Sequence, residues 1–300
     1  MPFPSQVNIV EVSPRDGLQN ESQTIPTATK ITLIQQLADA GVTTIEATSF
    51  VSPKWVPQLA DAREVFQGIV KKSNVHYPVL VPNAKGLAAA IDAGATDIAV
   101  FATASEQFAM RNTNCTVAES IKRIEEVVKM AKQHNMTIRA YLSCVLGCPY
   151  EGEVAPEKTA ELAEKLLNLG CYEISLGDTI GVGTPLKTLH LLEVVSKKVP
   201  ITQLAVHFHD TYGQALANIY AALSYGVATV DSSVAGIGGC PYAKGATGNV
   251  ATEDVVYMLQ GMNIATGIDL PKLIAAGRFI SAELGRQPQS KVNLALGGSL

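Results

Sequence analysis

No run of apolar residues in this sequence is long enough to cross a bilayer, which takes about twenty. Charge is scarce too: Asp, Glu, Lys and Arg make up 17% of 300 residues, against 47% hydrophobic. That balance excludes a disordered chain and is ample for a large buried core. No strong charge of either sign is present. A formal net charge of −4, with no cluster of Lys and Arg, gives no footing for a nucleic-acid or membrane partner. The five cysteines (Cys115, Cys144, Cys148, Cys171 and Cys240) are odd in number and form no CxxC pair. A disulfide framework and a thiolate zinc site are both disfavoured, and a reducing compartment fits. No GxGxxG follows the first strand-like run, and no Pro- or Ser-rich linker marks a second domain. With little sequence ahead of that run for a leader, the expectation is a cytoplasmic, single-domain protein spanning 1–300.

What is present is alternation. Short β-branched runs predict strands at Val7–Val12, Thr43–Ala47, Tyr77–Val81, Asp97–Phe101, Thr137–Ser143, Tyr172–Leu176, Leu204–His209 and Ala228–Ser232. Amphipathic stretches follow them, among them Pro26–Ala40, Thr116–His134, Pro156–Leu169 and Gly213–Tyr225. Alternating β and α elements imply a parallel sheet. Gly41, Gly94, Gly170 and Gly226 each stand where a helix should end and turn into a strand. Eight strands at this spacing predict an α/β fold, a (β/α)8 TIM barrel over about 7–262. A C-terminal helical extension over about 263–300, with a helix near Leu270–Leu284, completes it.

In such a barrel, chemistry sits at the C-terminal ends of the strands. After the first strand comes Ser13-Pro14-Arg15-Asp16-Gly17-Leu18-Gln19-Asn20, a turn presenting Arg15 beside Asp16. Taken alone it is more readily a surface ion pair. At the end of the seventh strand, His207-Phe208-His209-Asp210 places two imidazoles on one face, because residues two apart on a strand point the same way. The loop after the eighth strand, Ala235 to Asn249, is rich in glycine, carries Cys240 and ends in an asparagine. A loop this long is usually functional. Asp16, His207, His209 and Asn249 offer a carboxylate, two imidazoles and an amide oxygen. A mixed O/N set without thiolate favours a divalent cation, Mg2+ or Mn2+, with positions open to substrate. His76, His134 and His190 fall at a strand start or on helices and read as incidental.

The segments Val10–Asn20, Ile45–Pro57, Tyr141–Gly152, Gly170–Gly183, Ala205–Asn218 and Val230–Leu259 together resemble the 3-hydroxy-3-methylglutaryl-CoA lyase family. The RDG and HxH motifs are shared with related metal-dependent barrels such as the 2-isopropylmalate synthases. The loop Gly238–Asn249, GGCPYAKGATGN, is the specific signal. The resemblance implies the same four metal ligands, with Arg15 as enolate-stabilising and substrate-binding cation. It implies Cys240 as catalytic cysteine on a glycine-hinged flap, Glu46 and Asp178 as acidic site residues, and Glu253 as a support for the loop.

The activity it implies is metal-assisted retro-Claisen cleavage of an acyl-CoA thioester to acetyl-CoA and acetoacetate, by a homodimer. The base for the substrate hydroxyl is Asp178 or His207 at this point. One departure is Ser22, where the family has a lysine, so no role of that lysine carries over. The ending Gly298-Ser299-Leu300 is not a peroxisomal signal, which points to a bacterial-type cytosolic form. Competing readings are a condensing synthase of the same superfamily, a lyase for longer 3-hydroxy-3-alkylglutaryl-CoA substrates, and a non-catalytic metal-binding scaffold. Cys144 and Cys148 also invite a redox reading, although their spacing matches no known redox pair.

Overall fold

Every strand among the described residues is parallel to its neighbours in the sheet. The computed structural model describes residues 3–239 and 248–296. Strand β1 is Asn8–Glu11; β2 (Thr44–Ile45) and β3 (Thr48–Ser49) are two parts of one strand. They are followed by β4 (Val79–Leu80), β5 (Asp97–Thr103), β6 (Thr137–Ser143), β7 (Glu173–Asp178), β8 (Leu204–Phe208) and β9 (Thr229–Ser232). The sheet order is β2-β1-β9-β8-β7-β6-β5-β4-β3. Its two ends are the same piece of chain. Between β2 and β3, the Glu46 amide donates to the Glu11 carbonyl at 2.9 Å and the Ala47 amide to the Pro78 carbonyl at 3.0 Å. One strand thus passes from one neighbour to the next, and the ring closes on eight strands. The fold is a (β/α)8 barrel.

The surrounding helices are α1 (Thr27–Asp39), α2 (Ala62–Gly68), α3 (Ala84–Asp92), α4 (Glu106–Thr113), α5 (Val117–Gln133), α6 (Pro156–Leu169), α7 (Pro185–Val195), α8 (Ala215–Tyr225) and α9 (Thr252–Gly261). None among the described residues is long and apolar enough to cross a membrane. The four glycines expected to end helices all have positive φ, between 87° at Gly94 and 114° at Gly170. That conformation strains any residue with a Cβ. The tail holds two helices rather than one, α10 (Leu270–Glu283) and α11 (Lys291–Leu296). Of these, α10 packs against α1 and the turn Val234–Gly236, and α11 against α9.

The main hydrophobic core lies between sheet and helices, with Ile34, Leu37, Ile98, Leu142, Leu176 and Val230 among its members. The inside of the barrel is different. Such interiors are generally filled by layers of branched aliphatic side chains. Here the apolar cluster inside is small: Leu80, Ala99 and Tyr141, with Phe101 packed on it. Charge fills much of the rest. Arg139 is 1% exposed and donates from Nε to Glu173 at 2.6 Å and from Nη2 to Asp231 at 2.6 Å. Strand alternation puts Arg139, Tyr141 and Ser143 on one face of β6, with Ile138, Ala140 and Leu142 on the other.

Removing one member of such a buried pair leaves uncompensated charge, which costs about 3–5 kcal/mol. Arg139→Leu is therefore expected to lose about that much stability in denaturant-induced unfolding. A loss under about 1 kcal/mol, the level of an exposed pair, would show that Arg139 carries no buried charge balance.

Candidate metal and catalytic site

The turn that carries Asp16 is an unusual one. Ser13–Gly17 forms a single π-helical turn after β1, with the Gly17 amide donating to the Val12 carbonyl at 3.2 Å. Such turns interrupt regular structure and recur at functional sites. Gly17 is needed for close packing rather than for a special φ: an added Cβ would lie 2.7 Å from Ile237 Cγ1 and 2.9 Å from Ser233 Oγ. The β1 turn is thereby pressed against the chain leaving β9.

Asp16, His207 and His209 converge at this mouth of the barrel, each offering a ligand atom within 4.8 Å of the others. The His207 and His209 Nε2 atoms are 3.4 Å apart, and Asp16 Oδ2 is 3.9 Å from His207 Nε2. His209 pairs with Asn249 through an isolated antiparallel bridge. The Asn249 carboxamide reaches Asp16, with Nδ2 donating to Oδ2 at 2.8 Å. The two ends of a carboxamide have the same shape, so rotation about χ2 turns its oxygen to the same spot. These four groups come from neighbouring strands, β1, β8 and the chain after β9, although 233 residues separate Asp16 from Asn249.

The electrostatics suit a cation. Burial alone would raise the Asp16 carboxyl, but Arg15 and the two imidazoles overrule it and hold it well below the usual carboxylate range. Burial, reinforced by His207, pushes the His209 imidazole down to about 4, so the ring is neutral at physiological pH and its lone pair is free to ligate. His209 Nδ1 is buried with no hydrogen-bond partner among the described residues. Two imidazole nitrogens and a carboxylate oxygen aimed at one another, with no sulfur among them, fit a divalent ion of the harder kind.

Arg15 lies beside this set. Its Nη1 donates to Asp16 and its Nε to Glu46, and it is 6% exposed. Burial disfavours its charge, yet Glu46 and Asp16 more than restore it, and the guanidinium remains protonated. Glu46 also accepts from the Tyr141 hydroxyl, and the Arg15 guanidinium carbon lies 5.3 Å from the Tyr141 ring centroid.

Other expected residues fall elsewhere. Asp178 ends β7 with its carboxylate turned into its own loop, accepting from the Val182 and Gly183 amides at 3.2 and 2.8 Å. Burial raises it to about 6 against those bonds. Glu253 accepts from the Ala235 amide at 2.8 Å and from Asn293 Nδ2 at 2.9 Å, bracing the chain just after β9. Cys240 lies outside the described residues. Cys144 and Cys148 are buried beside Phe108, with the Cys148 sulfur 2.9 Å from Ser105 Oγ. Burial pushes the Cys144 thiol up to about 12, so it is no nucleophile near neutrality.

Four residues at the site were not foreseen. Tyr141 separates Arg15 from Arg139, whose guanidinium carbon is 5.0 Å from the same ring. Asp231 and Ser175 lie below His207, with Asp231 Oδ2 3.3 Å from His207 Nδ1. The signal available was alternation: Arg139 and Tyr141 alternate with Ile138, Ala140 and Leu142 on β6, Ser175 lies between Ile174 and Leu176 on β7, and Asp231 follows Val230 on β9.

A closed parallel barrel with a three-donor O/N cluster and a clamped arginine at one mouth belongs to the metal-dependent class of (β/α)8 enzymes. The HMGL-like family model matches residues 6–280, and the chain belongs to that family. It is 59% identical over 290 residues to the mitochondrial hydroxymethylglutaryl-CoA lyase of Bos taurus, covering 97% of this chain and 89% of that one. Hydroxymethylglutaryl-CoA lyase from Pseudomonas aeruginosa superposes with a TM-score of 0.97 at 56% identity, over 99% of both chains. An HMG-CoA lyase from Acinetobacter baumannii, solved in complex with coenzyme A and 3-methylmalate, gives 0.93 at 38% identity over 99% of this chain and 97% of that one.

Loss of a partner behind a metal ligand typically weakens binding about 10–100-fold. Removing a ligand itself should cost at least as much. Asp16→Asn and His209→Ala are expected to bind Mn2+ about 100-fold more weakly by isothermal titration calorimetry. Wild-type affinity in both variants would refute the assignment of these donors.

Proposed function

We propose that this chain is a hydroxymethylglutaryl-CoA lyase, cleaving (S)-3-hydroxy-3-methylglutaryl-CoA to acetyl-CoA and acetoacetate. The observation that carries the reading is the convergence of Asp16, His207 and His209 with Arg15 bound directly to Asp16. Similarity to named lyases along nearly the whole chain supports it.

The chemistry has three demands. The C3 hydroxyl must lose its proton as the C3–O bond becomes a carbonyl. The C2–C3 bond must break with its electron pair passing to the thioester as an enolate. C2 must then gain a proton. Asp16, His207, His209 and Asn249 would hold Mg2+ or Mn2+, which when bound supplies Lewis acidity for the substrate's hydroxyl and carboxylate oxygens. Arg15 meets the enolate. Its Nε and Nη1 are taken by Glu46 and Asp16, while Nη2 has no acceptor among the described residues and is left for the thioester oxygen. Because Glu46 and Asp16 fix the guanidinium beforehand, little reorganisation is needed as charge develops.

For the hydroxyl proton, His207 faces the site and Asp178 does not. We assign the proton to His207 Nε2, with His207 as the exchangeable member of the ligand set. Asp178 holds the turn at Val182 and Gly183 in place. Cys240, the loop cysteine that the family resemblance marks, returns a proton to C2.

Acetoacetate release from the purified chain decides the reading. EDTA should abolish turnover, and Mg2+ or Mn2+ should restore it. Absence of acetoacetate with either metal would overturn the assignment, and faster turnover of a longer 3-hydroxy-3-alkylglutaryl-CoA would change the substrate. Arg15→Met is expected to lower kcat about 10²–10³-fold, the usual cost of one oxyanion donor. Cys240→Ala should abolish most turnover in steady-state assays while Mn2+ binding stays at the wild-type level. Weakened binding there would make the cysteine part of the metal site.

A further inference from the structure

The barrel interior contains a carboxylate to which the proposed reaction gives no task. Asp231, on β9, is 1% exposed, and register pairs it directly with His207 on β8. Its Oδ1 accepts from Arg139 Nη2 at 2.6 Å. Its Oδ2 accepts from Ser175 Oγ at 2.6 Å and Arg139 Nη1 at 3.2 Å, and stands 3.3 Å from His207 Nδ1.

The proton on His207 follows from this arrangement. A guanidinium has only donors, and a carboxylate bound to it offers only lone pairs. The ring nitrogen facing that carboxylate therefore carries the hydrogen. A neutral imidazole protonated at Nδ1 has its one free lone pair on Nε2. That atom lies 3.4 Å from His209 Nε2 and 3.9 Å from Asp16 Oδ2. Tyr141 stands against the ring edge-on, with centroids 5.9 Å apart and planes at 84°. The Tyr141 hydroxyl is itself tied to Glu46, so the ring has a fixed wall on one side and a fixed acceptor on another.

We propose that Asp231, clamped by Arg139 and Ser175, is a positioning residue that fixes His207 as its Nδ1–H tautomer and presents the Nε2 lone pair to the cation site. The purpose assigned here rests on the functional reading above, whereas the geometry does not. Were Asp231 only a counter-ion for Arg139, the bidentate contact would suffice. Ser175 and His207 on the same oxygen serve no such role. Three strands, β6, β7 and β9, each contribute one group to orient a single ring on the strand between two of them. Partners of this kind behind a ligating histidine set its tautomer and its orientation.

The tautomer can be read without turnover. Long-range 1H–15N correlation spectra of the full chain, stripped of metal, are expected to show His207 protonated at Nδ1 and bare at Nε2. His207→Gln assigns the signals. A dominant Nε2–H form in the wild type would overturn the proposal. In Asp231→Asn, Arg139 Nη2 retains the carboxamide oxygen at the Oδ1 position, and the NH2 takes the Oδ2 position, donating to His207 while the Ser175 hydroxyl turns to accept. The tautomer should then invert, and Mn2+ affinity by calorimetry should fall about 10–100-fold. An unchanged tautomer in that variant refutes the role, and so does unchanged affinity.

Should the single variant fail to fold, Arg139→Gln/Asp231→Asn removes both buried charges together and carries the same expectations. Failure of the functional reading is seen separately. A wild type that binds Mn2+ with the expected tautomer but releases no acetoacetate loses the reaction and keeps the positioning role.

Discussion

The buried contact between Arg139 and Asp231 is the constraint around which the interior of this barrel is arranged. Both residues are almost completely buried, and they span from β6 to β9 across the axis. Burial raises the Asp231 carboxyl, and Arg139, helped by His207, brings it below its ordinary value. A charge pair in this position costs desolvation that an aliphatic layer would not, so it is weak grounds for stability in itself. What it supplies is direction. A layer of Val and Leu could fill the same space without orienting an imidazole. The ion pair fixes where the acceptors under His207 point, and hence where the opposite ring nitrogen points.

Above that layer a second chain of contacts runs from Tyr141 through Glu46 and Arg15 to Asp16. It joins β6, the break between β2 and β3, and the π-helical turn after β1. Two arginines flank the Tyr141 ring at 5.3 and 5.0 Å, one on each chain of contacts. Tyr141 thus keeps two guanidinium groups apart while touching both, and its edge-on contact with His207 ties the two layers together. Glu46 is placed at the point where the strand changes partners. The irregularity that closes the barrel and the carboxylate that fixes Arg15 are one local feature.

The sequence shows the parallel barrel well, because period-2 runs, helix-ending glycines and their spacing each report local backbone preferences. Strand limits agree to within one or two residues, as at Thr137–Ser143 and Leu204–His209. Asp16, His207, His209 and Asn249 were legible for a different reason: each follows or ends a strand, where a closed barrel concentrates its side chains. Arg139 and Asp231 were harder. They sit mid-strand, 92 residues apart, and only strand order across the ring reveals that they meet. Asp178 shows the opposite limit. Its position at the end of β7 suggested the mouth, but position along a strand does not tell which side of the barrel wall a carboxylate faces.

The C-terminal helices belong to the same argument, since they act on the chain that follows β9. Ala235 has a φ of 57°, a conformation costly for a residue with a Cβ, and its amide is held by both oxygens of Glu253. Asn293 on α11 donates to Glu253 and to the Ile274 carbonyl of α10, so α11 reaches this carboxylate directly and is tied to α10 by the same side chain. Burial raises Glu253 to about 8 despite those donors, a sign that the bonds do not fully offset its loss of water. Glu11 does the matching work from β1, accepting from the Val234 amide at 2.9 Å and from Thr252 Oγ1 at 2.6 Å. Two buried carboxylates from opposite ends of the chain therefore hold the strained backbone at 234–235. That segment leads through Ile237, whose carbonyl accepts from Ser233, to the Gly238 that stands against Asn249. A candidate ion site made from β1, β8 and the chain after β9 needs that last stretch held as firmly as the strands, and Glu11, Glu253 and the tail helices hold it together.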